Sequence, residues 1–103
     1  MSFYIELRDN KGKVLGRAGE HASNTNRGYL PPFDPDEFPL LKYADPYGDT
    51  MFNTDQMVDL IPELERLREL AKHDETRRMI DGIIELARLG AEEPGRQMWW
   101  IGD

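Results

Sequence analysis

The sequence predicts an α+β fold: an N-terminal β-hairpin, a long ordered loop rich in proline and aromatic residues, and an antiparallel helical hairpin packed on a small sheet that a C-terminal strand completes. Three observations carry this. Apolar residues alternate near both ends of the chain, in "FYIEL" and "QMWWI", the period of a strand with one buried face. Between residues 53 and 90 they recur every three or four positions, the period of an amphipathic helix. From residue 19 to residue 52 neither period is sustained. Strands segregated from a run of helices point to α+β rather than to an alternating α/β chain. At 103 residues the chain forms one domain, 1–103. It divides into a hairpin (1–18), an acidic Pro/aromatic segment (19–52), two helices (53–90) and a final strand (96–102).

In the hairpin, Phe3, Ile5 and Leu7 alternate with Tyr4, Glu6 and Arg8. "DNKG" supplies the turn, because Asp and Asn bond locally to the backbone and Gly12 accepts positive φ. "KVLGRA" returns, with Gly16 weakening the strand or marking a bulge. The next segment holds five of the seven prolines (Pro31, Pro32, Pro35, Pro39, Pro46) and six of the ten aromatics (Tyr29, Phe33, Phe38, Tyr43, Tyr47, Phe52). Disordered chain is poor in aromatics, so this stretch is expected to be ordered and irregular, its prolines lowering the entropy lost on fixing it. "PLLKYA" is expected to form a short strand.

Asn53 or Thr54 caps the first helix, and Asn53 with Gln56 fits a capping box. Met57, Leu60, Ile61, Leu64, Leu67 and Ala71 make its apolar face, and Pro62 is expected to kink it. "KHDE" breaks the helix. Asp74 is expected to cap a second helix with the face Met79, Ile80, Ile83, Ile84 and Ala87, ending at Gly90. Gly82 inside it costs about 1 kcal/mol relative to alanine. "EEPG" turns the chain into the last strand. There Trp99 and Trp100 must point to opposite faces. One indole belongs under the helices. The other falls on the face of Tyr4, Glu6 and Arg8, and the aromatics of the 29–52 stretch are expected to cover it.

The net charge of −7 is unevenly spread. Residues 1–19 carry two acids and four bases, residues 20–65 ten acids against Arg27 and Lys42, and residues 66–103 eight acids and seven bases. The excess lies in the middle third. Such a field disfavours nucleic acid and anionic membranes and attracts basic partners. No apolar run approaches the roughly 20 residues of a membrane span, and "MSFYIELRD" lacks the basic and apolar regions of a secretory signal. A cytoplasmic location is the expectation. With no cysteine there is no disulfide or thiolate chemistry.

No catalytic motif is present, and no cofactor is expected. "DPDEFP" and "DPYGDT" do not supply the alternating acids, central glycine and terminal glutamate of a calcium loop. His21 and His73, the only histidines, have no zinc-ligand spacing. Ser2 and Ser23 lie outside any nucleophile-elbow sequence. Arg66, Arg68, Lys72, Arg77 and Arg78 interleave with acids at helical spacing, so Asp74 with Arg78 and Arg77 with Asp81 are expected as ordinary surface pairs.

The frame "DTMFNTDQM…ELERL" followed by "MWWIGD" resembles a group of small bacterial single-domain proteins, a resemblance that implies no activity. In size, acidity and α+β layout the chain is also similar to immunity proteins of bacterial toxin systems, a likeness of architecture that implies no activity; an inhibitor of a cationic toxin or nuclease is the sharpest form of an interaction reading. The residues themselves point to a non-enzymatic interaction protein that binds a basic protein surface through Tyr29, Phe33, Asp34, Asp36, Glu37, Tyr43, Asp45, Tyr47 and Asp49. Interfaces are enriched in aromatics, and surrounding acids steer a basic partner. The alternatives are a small-ligand protein or enzyme with a pocket between the 19–52 segment and the sheet, and a homodimer joined through the spare tryptophan face.

Overall fold

The structure, a computed structural model, describes residues 3–18, 31–44 and 48–102. The N-terminal alternation forms β1 (Phe3–Arg8) and β2 (Val14–Ala18), paired antiparallel. Their turn is built by Asp9, whose carboxylate accepts the N–H groups of Lys11 and Lys13, each at 2.9 Å. Those bonds, Lys13 first, hold the Asp9 carboxyl below its ordinary range. Gly12 occupies the left-handed region at φ 85°, as the turn requires. The ladder slips between Leu7, opposite Gly16, and Arg8, opposite Val14, so the irregularity adjoins the glycine.

Two further strands, β3 (Asp49–Asn53) and β4 (Gln97–Gly102), complete a four-stranded antiparallel sheet in the order β2-β1-β4-β3. β3 was not foreseen: it lies at the end of the segment expected to be irregular. The strand expected in "PLLKYA" does not form. Pro39 has no N–H to give a ladder, and the N–H groups of Leu40 and Leu41 go to the Glu63 carboxylate instead of a neighbouring strand. Leu41–Tyr43 is a 3-10 turn.

Residues opposite one another share a sheet face. The registers Ile5–Trp100–Thr50 and Leu7–Met98–Phe52 therefore define the covered face. Over it lie α1 (Thr54–Leu70) and α2 (Asp74–Ala91), joined by three residues as an antiparallel pair. Asn53 ends β3 and caps α1 in the expected box: Gln56 N–H donates to its Oδ1 at 2.9 Å, and its own N–H donates to Gln56 Oε1 at 2.8 Å. Met57, Leu60, Leu64 and Leu67 are fully buried from α1, and Ile80, Ile83 and Ala87 from α2. Each large apolar side chain so buried contributes roughly 1.5–3 kcal/mol. α1 runs on through Pro62. Pro62, which gives the Val58 carbonyl no N–H, lies with Val58 on the exposed side of the helix.

Two expectations for α2 are corrected. Asp74 does not cap the helix. It is the first helical residue, His73 occupies the cap position, and the Asp74 carboxylate accepts from Arg77 at 2.5 Å. Nor does Gly90 end it. The helix runs to Ala91, and Gly90 is buried where a β-carbon would overlap the Met57 side chain and crowd Leu7. The expected surface pairs are exchanged as well. Arg77 also donates to the Ala71 carbonyl at the end of α1, which draws it back to Asp74, while Asp81 bonds Arg68 across the helical hairpin at 2.6 Å.

Candidate functional site

Described residues 31–44 of the acidic segment fold onto α1. Asp34 begins the first turn, Pro35–Glu37, by accepting the Asp36 N–H at 3.0 Å, with proline at the position that needs no donor. Glu37 and Phe38 close it onto the Asp34 and Pro35 carbonyls at 3.0 and 3.2 Å. Phe38 and Leu41 then enter the core, each 1% exposed, and Phe33 packs edge-on to Phe38 with ring centroids 4.8 Å apart. Two α1 side chains, one turn apart, hold the backbone. The Glu63 carboxylate, itself buried, accepts Leu40 N–H at 3.0 Å and Leu41 N–H at 3.1 Å. Arg66 donates to the Glu37 carbonyl and sets its guanidinium 5.0 Å over the Phe38 ring. The Thr50 hydroxyl ties the far end to β3 through the Tyr43 carbonyl, at 3.2 Å.

This arrangement sorts the predicted site residues. Asp34, Asp36 and Glu37 are exposed side by side, and among the described residues no cation pairs with them. Tyr43 is 65% exposed, with the Lys42 ammonium 5.2 Å from its ring. Phe33 turns inward as an anchor. Asp49 stands apart from the turn: it is opposite Ile101 on the sheet face away from the helices. Tyr29, Asp45 and Tyr47 lie outside the described residues.

From sequence, Glu63 goes unremarked and Arg66 counts only among the surface bases of the helices, whereas both hold the turn. Glu63 follows Leu60 by three residues and precedes Leu67 by four, so a carboxylate sits on the edge of the apolar stripe. That position was the available signal. Its ligands, 22 and 23 residues away, could not be read from local pattern.

The expected cover over the second sheet face does not come from residues 31–44, because Phe38 and Leu41 insert beside α1 in the core. Trp100 is buried beneath the helices, as its alternation with Trp99 required. Trp99 lies on the other face, opposite Glu6 and Met51. Arg8 supplies its local packing, with the guanidinium 5.0 Å from the ring, and the indole N–H donates to Gln97 at 3.1 Å. Glu6 is 5% exposed between two arginines: Arg8 binds one carboxylate oxygen at 2.8 and 3.0 Å, and Arg17 the other at 3.1 Å. Tyr4 and Met51 remain 38% and 39% exposed beside this group.

Among the described residues no group of three His, Asp or Glu side chains is placed to hold a metal. The groove between the helices is lined by Arg68 and Asp81, already paired with each other, and by Glu65, Glu69, Glu85 and Arg88. No helix of the described residues is long and apolar enough to cross a membrane. No protein-family model, curated protein or solved structure matches the chain.

Proposed function

We propose that this chain is a non-enzymatic binding protein whose partner is a basic protein surface, engaged through the acidic turn at Asp34, Asp36 and Glu37 with Tyr43 beside it. An inhibitor of a cationic toxin or nuclease is the form of this reading that the charge favours. The observation carrying it is the clamp. Glu63 and Arg66 hold the turn's backbone and Phe38 and Leu41 bury its apolar side chains, so three exposed carboxylates, none in an ion pair with a described residue, stand on a fixed base. Fixed charges need little ordering on binding, which favours association. The same field steers a cationic partner and raises its on-rate more than its final affinity.

The test begins with cell-extract proteins retained by the immobilised chain at about 0.05 M salt and released at about 0.5 M. The retained protein is identified and purified, and its association and dissociation rates are measured. Substituting Asp34→Asn, Asp36→Asn and Glu37→Gln together is expected to slow association about tenfold or more, with a smaller change in dissociation. An association rate indifferent to both salt and the triple substitution overturns the reading.

A further inference from the structure

We infer that the sheet face away from the helices is a self-association surface, seating the same face of a second copy of this chain in a two-fold symmetric dimer. Its centre is aromatic and apolar: Trp99, half-buried beside Arg8, with Tyr4 and Met51 more than a third exposed around it. Tryptophan, tyrosine and arginine are the residues that dominate interface energetics. Residues 31–44 do not cover this face, since Leu40 and Leu41 are bound to α1 and Phe38 and Leu41 enter the core; its own Arg8 and Arg17 shield only Trp99 and Glu6.

Charge selects the occupant. The chain carries −7, so most approaches between copies bring like charge together. On this face Glu6 and Asp49 balance Arg8 and Arg17, and two copies meet there without net repulsion. A highly charged foreign partner would find no steering on it.

The charges are also divided between its edges. Arg17 lies on β2 at one edge, its side chain half exposed, sharing Glu6 with Arg8 and leaving that cluster with one positive charge in excess. Asp49 lies on β3 at the opposite edge, with no ion pair to a described residue. An isologous interface must be complementary to itself about its axis. With strand order β2-β1-β4-β3, a two-fold axis running along the strands between β1 and β4 lays β2 of each copy over β3 of the other. Arg17 of each copy then faces the edge that carries Asp49 and Met51, twice by symmetry. The aromatic centre closes between these contacts, and sheets packed this way sit about 10 Å apart.

Sedimentation equilibrium of the intact chain tests this, with tryptophan emission followed alongside. The expected result is a monomer–dimer shift between about 1 µM and about 1 mM protein, with emission moving to the blue as Trp99 leaves water. Met51→Lys and Asp49→Lys, both at exposed positions of an edge strand and both setting a cation against Arg17 of the other copy, are each expected to raise the dissociation constant at least about tenfold while near-ultraviolet circular dichroism of the monomer is retained. The triple substitution at Asp34, Asp36 and Glu37 is expected to leave the dimer unchanged. A monomer at every concentration overturns the proposal. So does a dimer indifferent to both edge substitutions, or one that the triple substitution abolishes.

Discussion

A methyl group added at Gly82 would lie 3.6 Å from the Ala18 β-carbon, ordinary van der Waals contact, whereas one added at Gly90 would overlap the Met57 side chain and come within 2.9 Å of Leu7. Gly82 is interior to α2 and Gly90 is its penultimate residue, so alanine gains about 1 kcal/mol of helix propensity at the first and less at the second. At Gly82 nothing opposes that gain, and Gly82→Ala is expected to stabilise the chain by about 0.5–1 kcal/mol. At Gly90 the neighbours are themselves fully buried, and forcing them aside costs about 1–3 kcal/mol or more. Gly90→Ala should therefore lower the urea midpoint while Gly82→Ala raises it. Position in the sequence made Gly90 read as a helix terminator. Its actual role depends on Met57 and Leu7, which no local window contains. The opposite fates of Trp99 and Trp100, by contrast, were legible, because adjacent strand residues have no freedom to share a face.

At the level of elements, the hairpin turn shows how far local chemistry reaches. "DNKG" was read as a turn because Asp9 can bond ahead along the backbone, and it does so twice. These bonds favour the charged carboxylate, so its folded pKa lies below the unfolded one. The stability this contributes is complete above the unfolded pKa, near 4, and is lost as pH falls through the lower, folded value. Asparagine keeps an acceptor oxygen but never the charge. The melting temperature of the chain should exceed that of Asp9→Asn at neutral pH, and the difference should close below about pH 4. A difference independent of pH would mean the charge is not what holds the turn. β3 escaped notice for the reverse reason. Its five residues alternate, but Pro46 and Gly48 precede it and Asn53 already serves as a helix cap, so local cues pointed to loop. Pairing with β4 decides it, and β4 lies more than forty residues away in the chain.

Across the whole molecule the two layers present different surfaces: the helical layer holds the acidic turn, and the sheet layer ends in a charge-balanced aromatic face. The uneven charge was visible in composition. Its fixing in space was not, because the clamp joins residues 37–41 to residues 63 and 66. If the turn works as a rigid charged surface, loosening the clamp must weaken steering without touching the carboxylates. Glu63→Ala leaves two backbone N–H groups without their acceptor and is expected to cost about 2–4 kcal/mol. Glu63→Gln retains one acceptor oxygen and should cost less. Amide exchange at Leu40 and Leu41 should quicken in both variants, and association with a basic partner should slow in the same order. The sheet face shares no residue with the clamp, so self-association should survive wherever the variant remains folded. Unaltered exchange at Leu40 and Leu41 in Glu63→Ala would show that the buried rings alone fix the turn, and the carboxylate would then have no part in presenting it.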